Sequence, residues 1–405
     1  MEKIDLIFNQ ARRRFVPSFF ESRRMESIEK KVLAKLKENL EKKNIEAELK
    51  TAGSFAKGTW IRGESDIDIF VIFKSEAETS LLGQIVPKNF RVERGTRRYY
   101  VGRIDGVNVE VVPLVKFDRL DEVKNSIDFS VLHIDYINNH ASPAQKKDIV
   151  ILKRFCKAND CYGSETYKHG FSGYVLELLI LKYGSISGLF NSVLNWKDNE
   201  FIDLEGYYKN RSEAVESVGA KDNHLIIVDP TNKRRNVCGS LSLENLSKFV
   251  LAVKLFMFKP SMRFFELKNL EAEMRKTSKS RGTRIFEAKS SIKGIRDVYL
   301  AKVSSKLKSV VEDLSRNGIE VYSYNLIEKE KEIKVMLEVG NVPSIKFRKV
   351  YGPSVWLNFD DLSKFLKEHR KVYISDDRII YDSVYQFKDA NKFIHSKLKS
   401  ILKPV

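Results

Sequence analysis

The chain has 405 residues, 42% hydrophobic and 31% charged, with 25 Phe and 16 Tyr; that is apolar material for two or three packed domains and excludes general disorder. A formal net charge of +18 and a pI of about 9.5 surround it with a positive field, which suits a polyanionic partner. Three cysteines, Cys156, Cys161 and Cys238, are odd in number and lack CxxC spacing, which excludes a disulfide framework and a zinc ribbon.

The N-terminus Met1-Glu2-Lys3-Ile4-Asp5 has no apolar signal core, and the apolar run near Val175 to Leu181 is broken by Glu177 and Lys182. The expectation is a soluble, cytoplasmic protein with no membrane partner. Basic clusters at Arg12 to Arg14, Lys233 to Arg235, Arg275 to Arg284 and Lys346 to Lys349 are spread along the chain. Together they read as a broad phosphate-contacting surface, and singly as solvated charge.

Met25, Ile28, Val32, Leu36 and Leu40 recur at helical spacing, predicting an amphipathic helix over 21–43. A strand over 47–51 follows, then Gly53-Ser54 and a strand over 66–73, Asp66-Ile67-Asp68-Ile69-Phe70-Val71-Ile72-Phe73. Strands over 97–104 and 107–112 are joined by the turn Asp105-Gly106. The sum is a mixed sheet with a helix packed on it.

Ser142-Pro143-Ala144-Gln145 has a capping residue, proline at the first helical position and glutamine at the third, so a helix starts there. Residues 146–258 read as mainly helical, with segments over 173–183 and 243–258, and Lys259-Pro260 ends the last. A strand over 283–290, a helix over 297–316 and strands over 320–326 and 331–339 give a β-α-β-β order, the core of a ferredoxin-like or RNA-recognition-like domain. The expected fold is α+β and multidomain: a head over 1–141, a mainly helical central domain over 142–260, and a C-terminal α+β domain over 261–405.

Side chains alternate along a strand, so Asp66 and Asp68 share one face while Ile67, Ile69 and Val71 pack behind. Their Cα atoms are about 6 to 7 Å apart, near enough for both carboxylates to reach one divalent cation. An edge strand with solvated acids would show the same pattern. Two features argue against it. Gly53-Ser54 allows a tight turn whose amides and hydroxyl hold a triphosphate, with Lys57 adding charge. Glu110 is a lone acid in the apolar strand Val107 to Val112, placed to pair beside the first. Three carboxylates around two metals suit phosphoryl transfer, which needs no serine, cysteine or histidine nucleophile.

The stretch Gly53 to Asp68, GSFAKGTWIRGESDID, resembles the signature of polymerase β-type nucleotidyltransferases. VNVEVVP from Val107, LKRFCKANDCYG from Leu152, HGFSGYVLELLI from His169 and VDPTNKRRNV from Val228 resemble, in order and spacing, the archaeal, class I CCA-adding enzymes over about residues 1–260. This resemblance implies a tRNA nucleotidyltransferase that adds C, C and A from CTP and ATP without a nucleic-acid template, with two Mg2+ ions. It implies that Asp66, Asp68 and Glu110 are the catalytic metal carboxylates, that Ser54 and Lys57 contact the triphosphate, and that His133, Lys153 and Tyr162 line the nucleotide pocket. Arg235 falls on the arginine that helps to read the base. The plain alternatives are a packed histidine, a core aromatic and a surface charge at His133, Tyr162 and Arg235. The implied partner is the acceptor and T-arm half of tRNA, and a homodimer is left open.

Three departures stand out: Glu110 where the family has Asp, Lys57 where Arg is usual, and Phe264-Phe265-Glu266-Leu267 in place of a proline- and lysine-containing stretch. A poly(A)- or oligoadenylate-type nucleotidyltransferase shares the metal site. An RNA-binding protein with a retired catalytic head is the reading from a different class.

Overall fold

A computed structural model describes residues 2–402, apart from 65, 96, 124, 330–331, 341–346 and 385–388. Two compact units result, residues 1–267 and 268–405. Among the described residues no single helix is long and apolar enough to cross a membrane.

The first unit begins with α1 (Glu2–Phe15) and α2 (Phe19–Lys43). Ser18 caps α2: its hydroxyl accepts from the Glu21 amide while the Glu21 carboxylate accepts from the Ser18 amide. Next come β1 (Glu48–Ala52), the short α3 (Gly53–Lys57), β2 (Asp66–Phe73), α4 (Leu82–Ile85), β3 (Arg91–Arg94), β4 (Arg98–Ile104) and β5 (Val107–Val115). They form a five-stranded sheet in the order β1-β2-β5-β4-β3, in which only β2 and β5 run parallel. Asp105 and Gly106 both have positive φ, 49° and 82°, as a two-residue hairpin turn requires. Met25, Ile28, Val32, Leu36 and Leu40 of α2 pack on Ile67, Ile69, Val71, Val109 and Val111, which covers one face of the sheet. Each such side chain contributes roughly 1.5–3 kcal/mol when fully buried. The acids lie on the opposite face.

The same unit continues with α5 (Ser130–His140), α6 (Pro143–Ala158), α7 (Gly173–Tyr183), α8 (Ile186–Val193), β6 (Glu200–Ile202), α9 (Arg211–Val218), β7 (Leu225–Asp229), β8 (Asn232–Asn236) and α10 (Leu243–Phe258). Ser142 forms the expected capping box with Gln145 at the start of α6. An aromatic core of Phe8, Phe155, Phe190, Phe256 and Phe265 ties α1 to these helices. The expectation of a mainly helical segment missed the three-stranded sheet β6-β7-β8. β7 is apolar up to its last residue, Asp229, and so short an apolar run cannot be told from a buried helix by periodicity. The cysteines are free and buried.

The second unit holds α11 (Leu270–Arg281), β9 (Arg284–Ser291), α12 (Arg296–Arg316), β10 (Val321–Lys329) and β11 (Glu332–Val339), then β12 (Phe347–Ser354), α13 (Phe359–Glu368), β13 (Val372–Ser375), β14 (Arg378–Val384) and α14 (Ala390–Ile401). The sheet order β10-β11-β9, fully antiparallel, is that of a ferredoxin-like domain lacking its last strand among the described residues. α14 returns to pack on α12 and β9, and a small lobe, β12-β14-β13 with α13, is inserted before it. Several basic clusters are engaged internally: Arg12 with Asp148, Arg275 with Glu271 and Glu287, and Arg281 with Glu338. Lys346, the start of the last basic cluster, is outside the described residues.

Candidate active site

β2 lies between β1 and β5, so the acid pair is on an interior strand and the edge-strand alternative falls. The parallel register sets Asp66 beside Asn108 and Asp68 beside Glu110. Asp66, Asp68 and Glu110 therefore share a face. On the other side, Ala52 pairs with Asp68, which starts α3 directly against that carboxylate. Gly53 has φ +66°, and a Cβ there would be 1.6 Å from Asp68 Oδ2. The carboxylate occupies the space that any other side chain at position 53 would fill.

Burial first, then the Asp66 charge, pushes Asp68 up to about 6, while Lys57 opposes the rise. Burial, followed by Asp68, Asp66 and Glu93, pushes Glu110 up to about 7. Crowded, desolvated carboxylates are hard oxygen donors whose repulsion a dication relieves, so the donor set fits a divalent metal. Asp66 is turned toward Asn108, whose Nδ2 donates to it at 3.0 Å. As placed, no group of three His, Cys, Asp or Glu side chains among the described residues forms a closed ligand set.

Lys57 and Lys153 meet on a residue that was not among the candidates. Glu177, on α7, is fully buried. Its Oε2 accepts from Lys57 Nζ at 2.6 Å, and its Oε1 accepts from Lys153 Nζ at 2.7 Å and from the Thr59 hydroxyl at 2.8 Å. Lys153 also donates to the Thr59 carbonyl and hydroxyl, at 3.2 and 2.9 Å, so all three of its N–H bonds have acceptors. It can reach a ligand only by giving one up. Burial works to raise Glu177, but the charges of Lys153 and Lys57 outweigh it and hold the carboxyl at about 2.

Tyr162 joins this group through Gly173: a Cβ there would be 3.3 Å from the Tyr162 hydroxyl and 3.4 Å from Lys153 Cε. Burial, then the Glu177 charge, pushes the Tyr162 phenol up. Ser54 sits in α3, one residue past Gly53.

A second hub is Asp229, fully buried at the end of β7. Its Oδ2 is 3.0 Å from His133 Nε2 and accepts from Arg235 Nη1 at 2.9 Å. Its Oδ1 accepts from the Thr231 amide and hydroxyl and from the Tyr174 hydroxyl. Arg235 Nη1 is also 3.2 Å from His133 Nε2; that nitrogen can donate to Asp229 or accept from Arg235, not both at once. Burial works to raise Asp229, but His133 and Thr231 hold it at about 2. Tyr174 stacks on His133 with ring centroids 3.9 Å apart, and Lys57 Nζ is 5.8 Å from the centre of the same ring. One wall thus runs from Arg235 through His133, Tyr174 and Lys57 to the strand acids.

Sequence reasoning missed Asp229, Tyr174, Thr59 and Glu177 as members of the site. Two carried a signal. Glu177 is a lone acid in the apolar run of α7, and Asp229 closes the apolar run of β7.

A mixed five-stranded sheet with an acid pair on an interior strand and a third acid on the parallel neighbour defines the head of a polymerase β-type nucleotidyltransferase. Residues 33–135 match the family described as nucleotidyltransferase domain, and 147–266 the one described as tRNA nucleotidyltransferase, second domain. In fold, the chain is similar to Cid1 in complex with its short product ApU, with a TM-score of 0.51 at 13% identity over 66% of this chain and 98% of that one. Residues 281–403 match the CCA-adding enzyme, C-terminal domain. The CCA-adding enzyme of Methanothermobacter thermautotrophicus is 31% identical over 400 residues, 94% of this chain and 86% of the relative. That of Nanoarchaeum equitans is 31% identical over 360 residues, 85% and 87%. The chain belongs to the CCA-adding enzyme family.

Proposed function

We propose that the enzyme completes the 3′ end of tRNA, adding C, C and A from CTP and ATP. The 3′-hydroxyl oxygen of the RNA attacks the α-phosphorus, the bond to the β-phosphate breaks, and pyrophosphate leaves. The observation that carries the reading is the pairing of Asp68 with Glu110 across parallel strands, with Gly53 leaving room for the Asp68 carboxylate.

Nucleotidyltransferases of this superfamily use divalent metals; here we take two Mg2+ ions, held by Asp66, Asp68 and Glu110, to supply activation of the hydroxyl and neutralisation of the leaving charge. Ser54 and Lys57 face the phosphates, and Lys57 has N–H bonds to give: among the described residues only Glu177 accepts from it. Arg235, fixed on Asp229, presents a planar donor edge to the base, with His133 and Tyr174 stacked beside it. Tyr162 and Lys153 close the pocket behind the phosphates.

In this reading the head over 1–141 does the chemistry, the region over 142–260 binds the nucleotide, and 261–405 grips the acceptor and T-arm half of tRNA in the cytoplasm. The chemistry asks for one chain, so a homodimer is compatible and not required.

The test is to incubate the protein with Mg2+, labelled CTP or ATP and a tRNA transcript cut before CCA, beside an Asp66→Ala, Asp68→Ala variant. Addition of C, C and A followed by a stop, absent in the variant, is expected. Runs of A would replace this reading with a poly(A)-type polymerase, and tight RNA binding without product would replace it with a retired enzyme.

A further inference from the structure

We propose that Glu177 is a positioning residue for the nucleoside triphosphate: its buried carboxylate fixes Lys57 as the phosphate-facing prong and holds Lys153 as a second cation behind it. The inference rests on the reading of Lys57 as a phosphate-binding group. A lysine carries a compact charge on a flexible stem, whereas arginine presents a rigid planar fork. At position 57 the stem is held instead by its partner, because Lys57 and Lys153 sit on the two different oxygens of one carboxylate, at 2.6 and 2.7 Å. Thr59 orients that carboxylate by donating to Oε1 while accepting from Lys153.

Stability by itself does not require the arrangement. Glu177 is fully buried, Lys153 is 3% exposed and Lys57 9%, and buried ion pairs are often no more stabilising than apolar residues of the same shape. Two ammoniums share that one carboxylate, and of the two Lys57 keeps N–H bonds that a phosphate oxygen can accept, since among the described residues only Glu177 accepts from it. Lys57 lies on the pocket wall, its Nζ 5.8 Å from the centre of the Tyr174 ring that stacks on His133. Lys153, its N–H bonds all accepted, supplies charge from behind and keeps Glu177 in place. Without the carboxylate the two ammoniums repel each other and the prong at Lys57 swings free.

The experiment uses the full chain and inorganic triphosphate, which has phosphates but no base, as a competitor of CTP. Glu177→Gln, Glu177→Asp, Lys57→Ala and the wild type are compared for triphosphate inhibition, for KM with CTP, ATP and tRNA, and for thermal melting. In Glu177→Gln the triphosphate inhibition constant and both nucleotide KM values should rise together about tenfold, while the tRNA KM and the preference for CTP over ATP stay within about twofold. Glu177→Asp should recover part of the loss, and it decides the matter by the same criteria if Glu177→Gln lacks a cooperative melting transition. Loss of triphosphate binding in Lys57→Ala with none in the Glu177 variants would overturn the positioning role and leave the phosphate site standing. Wild-type triphosphate binding in Lys57→Ala would overturn both. An equal loss for tRNA and nucleotides, in step with a lowered melting temperature, would make Glu177 a structural residue and also overturn the proposal.

Discussion

Replacing Gly53 by alanine tests whether the turn before α3 exists to make room for a carboxylate. Two costs add. Gly53 has φ +66°, a conformation that costs an L-residue about 1–2 kcal/mol. The new Cβ would also lie 1.6 Å from Asp68 Oδ2 and 2.7 Å from its Cγ, roughly 2 Å short of van der Waals contact. Asp68 is anchored in an interior strand, so its side chain must rotate away or α3 must shift. Overpacking of this kind costs about 1–3 kcal/mol, and moving a reacting group by about 1 Å costs on the order of 100-fold in rate. Gly53→Ala should therefore lose at least about 100-fold in kcat for CTP addition and about 2–5 kcal/mol of stability. Gly219→Ala is the matched control: it has the same φ, +66°, and nothing within 4 Å of a new Cβ. It should show the backbone cost alone and keep near-wild-type turnover. Chemical denaturation and single-nucleotide addition to truncated tRNA measure both quantities. Wild-type kcat in Gly53→Ala, or equal activity losses in the two variants, would refute the reasoning.

Asp229→Asn keeps the shape of the second hub but removes the charge that holds Arg235; use of UTP or GTP relative to CTP and ATP should rise about tenfold, with triphosphate inhibition unchanged, and unaltered selectivity would separate Arg235 from base reading. Stability should fall in acid: Glu177 and Asp229 are both held at about 2 in the fold, against 4.5 and 3.8 in the free side chains. The unfolded chain binds more protons between about pH 4.5 and 2, so the stabilisation is complete above that window and is lost as pH falls through it, about 3 kcal/mol from Glu177 and about 2 kcal/mol from Asp229. Urea unfolding at pH 5, 4 and 3 should show a shallower slope in Glu177→Gln and in Asp229→Asn, and an unchanged slope in both would contradict the assignment. Asp128→Ala removes the buried partner of Arg97, whose side chain is 5% exposed and bonded to Asp128 at 2.5 and 2.9 Å. Glu76 also accepts from this guanidinium, at 2.8 and 2.5 Å; with it still in place the expected loss is about 2–4 kcal/mol, and a change below about 0.5 kcal/mol in chemical denaturation would show that Glu76 alone satisfies the guanidinium.

Local order was readable where one signal sufficed. The period of Met25, Ile28, Val32, Leu36 and Leu40 sets the buried face of α2, and alternation from Asp66 to Phe73 sets both faces of β2. The box of Ser142, Pro143 and Gln145 starts α6 where expected, because capping is decided within four residues. α1, β3, the β6-β7-β8 sheet and the lobe inserted before α14 were not foreseen. β3, β6 and β13 are only three or four residues long and β7 is apolar up to its last residue, so neither length nor alternation marks these strands.

The site divides in the same way. From the sequence alone came the acid pair and its common face, the glycine turn before it, the third acid on an apolar strand, and a basic chain suited to RNA; composition, period 2 and motif spacing determine these. Only the folded chain could decide that Asp68 faces Glu110, because register joins residues 42 apart. Only the tertiary structure could place Glu177 between Lys57 and Lys153, or Asp229 between His133 and Arg235, because a buried charge takes its partners from whichever elements converge on it, and no local pattern specifies that meeting.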